Sequence, residues 1–378
     1  MLPASRTFTK SWRSDQSRAG VSRCASMHNE CAYIYIFGQP LAAYTRTMDT
    51  TQSERVVVTR RDHLELQPWR VPAPAEDQVR VRVDYSAVSF GDVMLRRHVF
   101  RPVPPVAVPG YEVVGTVEAV GAGVRDVHAG DTVAAFIEYG GNARHALVRS
   151  RDAVVLPLGV GGAPAAAAIL NYATAFGMIA AAALDAGDQL LVHGAAGGVG
   201  TAVLDTARAL GLRPFGTVRG GARRELGAPI FDTGSPRLVD EVRTASGGGV
   251  AAVFDPSAGR GLWRSRAMVR RGGSLIVFGL SSVAKPGLDG TIGTAGTLAT
   301  LGLFKVLPGK RTKIFAMDKM YHCHPERVRA LLERTIEGLA AGAIAPVVAS
   351  ILPLAKIAEA HSLVERGGVV GKVVIDCR

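Results

Sequence analysis

The chain has 378 residues, 48% of them hydrophobic and 20% charged, with 44 glycines, which excludes a disordered or fibrous protein and leaves room for about two domains. Its net charge of +12 arises from 44 basic and 32 acidic side chains, but no Lys/Arg cluster alternates with aromatics as a nucleic-acid groove requires, so no nucleic-acid partner is expected. The longest apolar runs, Ala163 to Leu170 and Ala180 to Leu184, fall far short of the roughly 20 residues a bilayer demands, so no membrane partner is expected either.

Residues 1–50 mix Ser, Arg and Thr around a short apolar patch, Ala32 to Phe37. Six basic and two acidic residues fall in the first 47, and the segment lacks a sustained amphipathic pattern. It reads as a disordered extension, either a transit peptide or a stretch upstream of a true start at Met48. The four cysteines, Cys24, Cys31, Cys323 and Cys377, show neither CxxC pairing nor zinc-ribbon spacing, which predicts a reduced, cytoplasmic chain.

From Arg55 the pattern becomes short alternating strands, at Arg55 to Thr59, His63 to Leu66, Gln78 to Val83, Glu112 to Val120 and Asp131 to Phe136, parted by Pro- and Gly-rich turns. Over residues 51–168 this predicts an antiparallel, barrel-like β domain. Over 169–313, Ala-rich helices alternate with buried-looking strands at Gln189 to His193, Pro214 to Val218, Ala251 to Asp255 and Ser274 to Gly279. That alternation predicts an α/β domain with a doubly wound parallel sheet. Residues 314–378 supply two helices, Glu326 to Leu339 and Leu354 to Glu365, and a last strand, Gly371 to Ile375, expected to return to the first domain.

The sharpest local signal is a strand, turn and helix in succession: Gln189 to His193, then Gly194-Ala-Ala-Gly197-Gly198-Val-Gly200, then Thr201 to Leu210. Small residues at such a turn let backbone amides approach a pyrophosphate, and the helix start offers unpaired donors and a positive dipole end. Ala196, Gly197, Gly198 and Val199 are therefore candidate cofactor contacts. The next strand should end beside the adenosine ribose, where an Asp or Glu would accept from a free 2′-hydroxyl. Thr217, Arg219, Arg223 and Arg224 occupy that region instead. Guanidinium groups suit a 2′-phosphate, so the expected cofactor is NADPH.

Several further segments occur in a telling order: Val108-Pro-Gly-Tyr-Glu-Val-Val-Gly115, Val117-Glu-Ala-Val-Gly121, Gly130-Asp-Thr-Val133, Val253-Phe-Asp-Pro256, Gly272-Gly-Ser-Leu-Ile-Val-Phe-Gly279 and Gly371-Lys-Val-Val374. With the Gly-rich turn, they make the chain from about residue 52 onward resemble the medium-chain dehydrogenase/reductase superfamily, in its zinc-independent quinone reductase or enone reductase branch. The resemblance implies a GroES-like catalytic domain and a Rossmann domain with the active site in the cleft between them. It also implies that Thr174 sits near the nicotinamide ribose and amide, and that Phe278, Gly279 and Leu280 line the nicotinamide side. A homodimer is implied as well, joined along the sheet edge near Ser274 to Gly279, with Ser281 to Lys313 over the cleft or at the subunit interface.

Zinc-dependent members of that superfamily carry Gly-His-Glu where this chain has Gly110-Tyr111-Glu112, and a Cys within the stretch that reads Ser89 to Asp92 here. Tyr and Ser do not make a zinc site. What remains is metal-free hydride transfer to a quinone or an α,β-unsaturated carbonyl compound, with the protein supplying orientation and hydrogen bonds. The proton donor is open among His98, Tyr111 and Asp92, with solvent as the alternative. Asp92 could equally serve to position backbone. Two other readings stand beside this one: a biosynthetic enoyl or enone reductase dedicated to one intermediate, and a cofactor-binding protein without turnover.

Overall fold

In the computed structural model the described residues are 50–60, 62–99, 106–220, 226–281 and 288–378. The extension expected to be disordered, with Cys24 and Cys31, and the arginines Arg223 and Arg224 lie outside the described residues.

The chain opens on an antiparallel hairpin, β1 (Thr51–Arg60) with β2 (His63–Val71). Then follow β3 (Gln78–Val88), a short helix α1 (Phe90–Arg96), β4 (Glu112–Val120), β5 (Thr132–Phe136), β6 (His145–Arg149) and β7 (Ala153–Val155). Alternation places Val79, Val81 and Val83 of β3 inside, with the valines Val113, Val117, Val133 and Val148 of its neighbours, the period-two pattern of a half-buried sheet. The Ser89 to Met94 stretch, which contains no obvious helical pattern, is the start of α1 rather than a loop. The Ser89 amide donates to Asp92 Oδ2 at 2.8 Å, so a carboxylate three residues on satisfies the helix entrance.

A long helix, α2 (Gly162–Ala182), leads to β8 (Gln189–His193), α3 (Gly198–Ala209), β9 (Arg213–Val218), β10 (Ile230–Asp232), α4 (Leu238–Ser246), β11 (Val250–Asp255), α5 (Leu262–Met268), β12 (Val269–Val277), α6 (Leu288–Val306) and β13 (Arg311–Ile314). The chain ends with α7 (Met317–Cys323), α8 (Pro325–Ala340), β14 (Val348–Pro353), α9 (Ile357–Arg366) and β15 (Lys372–Asp376).

Strands β8 to β13 form one all-parallel sheet in the order β10-β9-β8-β11-β12-β13. Numbered from β8, that is the doubly wound order 3-2-1-4-5-6, which reverses direction between β8 and β11. Every residue of β11 is buried, as expected of a parallel strand covered on both faces. The strand containing Ser274 is interior, paired with β11 on one side and β13 on the other. The sheet edge on that side is therefore β13, a four-residue strand too short to stand out in the sequence, with β10 at the other edge.

The second sheet runs β14-β15-β3-β4-β5-β7, with β6 also paired to β3. The last strand, β15, inserts between β14 and β3, so Ile375 lies opposite Ser86. Helix α2 joins the two halves. It is long and apolar enough to span a bilayer, but most of it is buried in the protein, and being apolar on every side is what a core helix requires. One continuous core holds Val114 and Phe136 of the antiparallel sheet, Ala166, Ile169, Phe176 and Met178 of α2, and Leu190, Val192 and Phe254 of the parallel sheet.

Candidate active site

The carboxyl ends of β8 and β11 flank the switch point of the parallel sheet, the place where open α/β sheets bind ligands. After β8 the chain turns through Gly194 to Gly197 and enters α3 at Gly198. The first amides of α3 have no acceptor within the helix and point out of its N-terminus. A Cβ on Gly200 would lie 2.2 Å from the Gly194 carbonyl, so only glycine lets the helix start pack under the turn. Gly197 is exposed and Ala196, Gly198 and Val199 are half-buried, which leaves an open cradle for a pyrophosphate.

Asn171 touches this turn from α2: its Nδ2 lies 2.5 Å from where a Cβ on Gly198 would stand. Thr174, buried, follows one helical turn later. At the end of β9, Thr217 is fully buried and Arg219 is exposed. On the other side, Phe278, Gly279 and Leu280 leave β12 half-buried, and Phe278 packs against the central core.

Beneath the turn runs a polar network that sequence reasoning did not single out. His193 Nδ1 is 2.8 Å from Thr217 Oγ1 and Nε2 is 3.1 Å from Ser265 Oγ. Ser265 donates to Asp255 Oδ2 at 2.6 Å, and Thr233 donates to Thr217 Oγ1 at 3.1 Å. Ser265 has one hydrogen, given to Asp255, so it accepts from the His193 Nε2–H, and Nδ1 accepts from Thr217. Burial holds the His193 imidazole below its ordinary range, against the pull of the Asp255 carboxylate, which keeps the ring in this neutral tautomer. The network ties the ends of β8, β9 and β11 together.

A second polar group lies in the antiparallel half. Asp92 is fully buried; its Oδ2 accepts the Ser89 amide and its Oδ1 accepts the Gly110 amide at 2.8 Å. It thereby fixes the loop that delivers Tyr111 and Glu112. Glu112 is also fully buried, and Lys372 of β15 reaches it with Nζ 2.6 Å from Oε1. The same ammonium donates to Ser89 Oγ at 2.5 Å. Burial first, and the neighbouring Glu112 charge second, push Asp92 up to about 7.

This cluster abuts the cofactor turn. The Gly371 amide donates to the Ala196 carbonyl at 2.9 Å, and Gly371 forms a parallel bridge with Gly197. Gly371 has φ +90°, and a Cβ there would lie 2.1 Å from the Val347 carbonyl, so the contact depends on glycine. One residue on stands Lys372.

The half-buried Tyr111 ring stacks on Phe136 at 6.2 Å, its hydroxyl 2.8 Å from where a Cβ on Gly91 would be. His98 is exposed, in the left-handed region at φ 54°, just past the end of α1. Asp92 and Tyr111 are thus brought together around α1, whereas His98 lies at the opposite end of that helix. Lys372 and Glu112, which sequence reasoning did not single out, join Ser89 in this cluster; both sit inside sequence motifs that otherwise read as structural. Among the described residues, no three His, Cys, Asp or Glu side chains converge as a metal centre.

Comparison with known proteins places these features. A zinc-binding dehydrogenase family model matches residues 226–375, and the alcohol dehydrogenase GroES-like domain matches residues 75–181. The rat synaptic vesicle membrane protein VAT-1 homolog is 30% identical over 327 residues, covering 82% of this chain and 80% of that protein. Rat quinone oxidoreductase is 29% identical over 315 residues, covering 81% of this chain and 91% of that protein. Among solved structures, a mycobacterial protein in complex with NADPH superposes with a TM-score of 0.73 at 26% identity, covering 85% of this chain and 99% of that one.

Proposed function

Because the chain belongs to the medium-chain dehydrogenase/reductase family, in its quinone reductase branch, we propose that it is an NADPH-dependent reductase passing hydride, without a metal, to a quinone or an α,β-unsaturated carbonyl compound. The observation that carries this reading is the pairing of an open Gly194 to Gly200 cradle with Ser89 and Tyr111 at the positions where zinc-dependent relatives hold metal. A hydroxyl and a phenol do not form a zinc site.

The residues present fit a dinucleotide phosphate. The turn and the start of α3 offer amides to the pyrophosphate. Arg219, exposed at the end of β9, offers a charge-assisted contact to a 2′-phosphate, and Arg223 and Arg224 remain further candidates for it from the sequence. Thr174 and Asn171 border the nicotinamide side from α2, and Phe278, Gly279 and Leu280 face them from β12. When bound, NADPH supplies the hydride; the chain orients it, excludes water and provides the proton. Two copies are proposed to pair along the β13 edge.

The test is an acceptor panel of benzoquinone, phenanthrenequinone, cyclohexenone and crotonyl-CoA, with NADPH oxidation followed in metal-free buffer containing a chelator. Turnover with at least one acceptor, unaffected by the chelator, is expected. Protection against heat by NADPH without turnover on any acceptor would mark a cofactor-binding protein instead.

A further inference from the structure

Reducing a quinone or a conjugated carbonyl with hydride also consumes a proton, and His98, at the exposed far end of α1, is badly sited to give it. We propose that Ser89 Oγ is the proton donor of this reductase, resupplied by the Lys372 ammonium that bonds to it. The proposal rests on the reductase reading above and assigns its missing half.

The hydrogen-bond arithmetic of Ser89 is the starting point. A hydroxyl has one hydrogen and two lone pairs. Lys372 Nζ donates to Ser89 Oγ at 2.5 Å, which commits a lone pair and turns the hydroxyl hydrogen elsewhere. Its acceptor within the cluster is Glu112 Oε1, 3.4 Å away, well beyond the roughly 2.5–3.0 Å of a good O–H···O bond. The hydrogen is loosely held and can swing to a bound acceptor. Ser89 is half-buried at the head of α1, so it is reachable from the site while its partners are not.

Lys372 sets the direction of transfer. It is 4% exposed and ion-paired to Glu112 at 2.6 Å, which keeps it as an ammonium. Its Nζ donates to Ser89 Oγ, so it stands where it can return a proton to that oxygen. An ammonium against Oγ also stabilises the charge that appears there as the proton leaves.

Glu112 of β4 holds Lys372 of β15 against Ser89 in a buried space, and both oxygens of the buried Asp92 accept backbone amides, at Ser89 and Gly110, which fixes the backbone around Ser89. The position is also right, because Lys372 follows the Gly371 amide that is bonded to the cofactor turn.

The step balances. Hydride adds its electron pair to the β-carbon, and the C=C pair moves onto the carbonyl as an enolate. The α-carbon takes the Ser89 hydroxyl proton, Ser89 Oγ takes a proton from Lys372 Nζ, and solvent returns a proton to the Lys372 amine. For a quinone the same proton goes to the reduced oxygen.

The experiment compares the unmodified chain with Ser89→Ala and Ser89→Thr on the fastest acceptor of the panel. Ser89→Ala should lower kcat by about 100-fold, with NADPH Kd from fluorescence titration unchanged, and Ser89→Thr should restore most of the rate. With a conjugated carbonyl in deuterium oxide, the unmodified chain should label the α-carbon on one face, and Ser89→Ala should label both faces, because water then protonates the released enolate. A Ser89→Ala variant that keeps its kcat, or that still labels one face, overturns the proposal. An unmodified chain that turns over no acceptor overturns the reductase reading and the proposal with it.

Discussion

At the scale of single residues, two side chains make separate demands. Arg219 stands exposed where an acid would select the unphosphorylated cofactor. Removing a charge-assisted contact costs about 1.5–3 kcal/mol, so Arg219→Ala should weaken NADPH by about 10- to 100-fold and leave NADH unchanged, read by fluorescence titration of both. Asp92 has a folded-state value of about 7 against an ordinary 3.8, so the folded chain binds its proton before the unfolded one does. The stability it contributes is present at low pH and falls as pH rises from about 4 through 7. Asp92→Asn should flatten that part of the unfolding-versus-pH curve, measured by denaturant titration. The variant should also lose some stability throughout, since an amide oxygen cannot accept from both Ser89 and Gly110. The sequence made Tyr111 visible through the Gly110-Tyr-Glu stretch and Asp92 through the separate Ser89 to Asp92 stretch. It gave no hint of Lys372, because Glu112 and Lys372 lie 260 positions apart, and an isolated Glu or Lys carries no pattern until strands β4 and β15 are registered through β3.

At the scale of elements, α1 is held from behind by α9. Arg96 donates to Glu365 Oε2 at 2.5 Å, and Arg97 pairs with the same carboxylate. Between them His361 is completely buried, with neither ring nitrogen hydrogen-bonded. Burial, and then the Arg96 charge, push its imidazole down to about 3. The unfolded chain therefore takes up that proton first, and stability falls as pH drops from about 6.5 toward 3. His361→Leu keeps the volume and removes two unpaired polar atoms; it should stabilise the fold by about 1–3 kcal/mol at neutral pH and more in acid, checked by urea unfolding at pH 7 and pH 5. Strands with strong alternation, such as β3 and β4, were legible in the sequence. Elements such as β10 and β13, three and four residues long, were not, since they exist only because a neighbouring strand offers its edge.

At the scale of the whole molecule, the unpaired edge of β13 carries an exposed Ile314, and α6 beside it exposes Ile292, Leu298 and Val306. Free edges and apolar patches of this kind are usually covered. Sedimentation equilibrium should return the mass of two chains, and Ile314→Lys should shift it toward one. The two halves are bound to each other through α2 and through the Gly371 amide on Ala196. Gly371→Ala should therefore cost about 3 kcal/mol in thermal unfolding and weaken NADPH in parallel, because one strained loop serves both sheets.

The place of β15 also has a bearing on how the protein is made. Strand β3 is synthesised well before its neighbour on one side, β15, which follows some 290 residues later. Until then Tyr85 to Val88 lack their β15 partners, and Ser89, already translated, has no Lys372. The parallel sheet from β8 to β13 can close on its own during that interval, since all its strands are contiguous. During that interval the nascent chain carries an open edge on β3, the kind of exposed strand that invites wrong pairing.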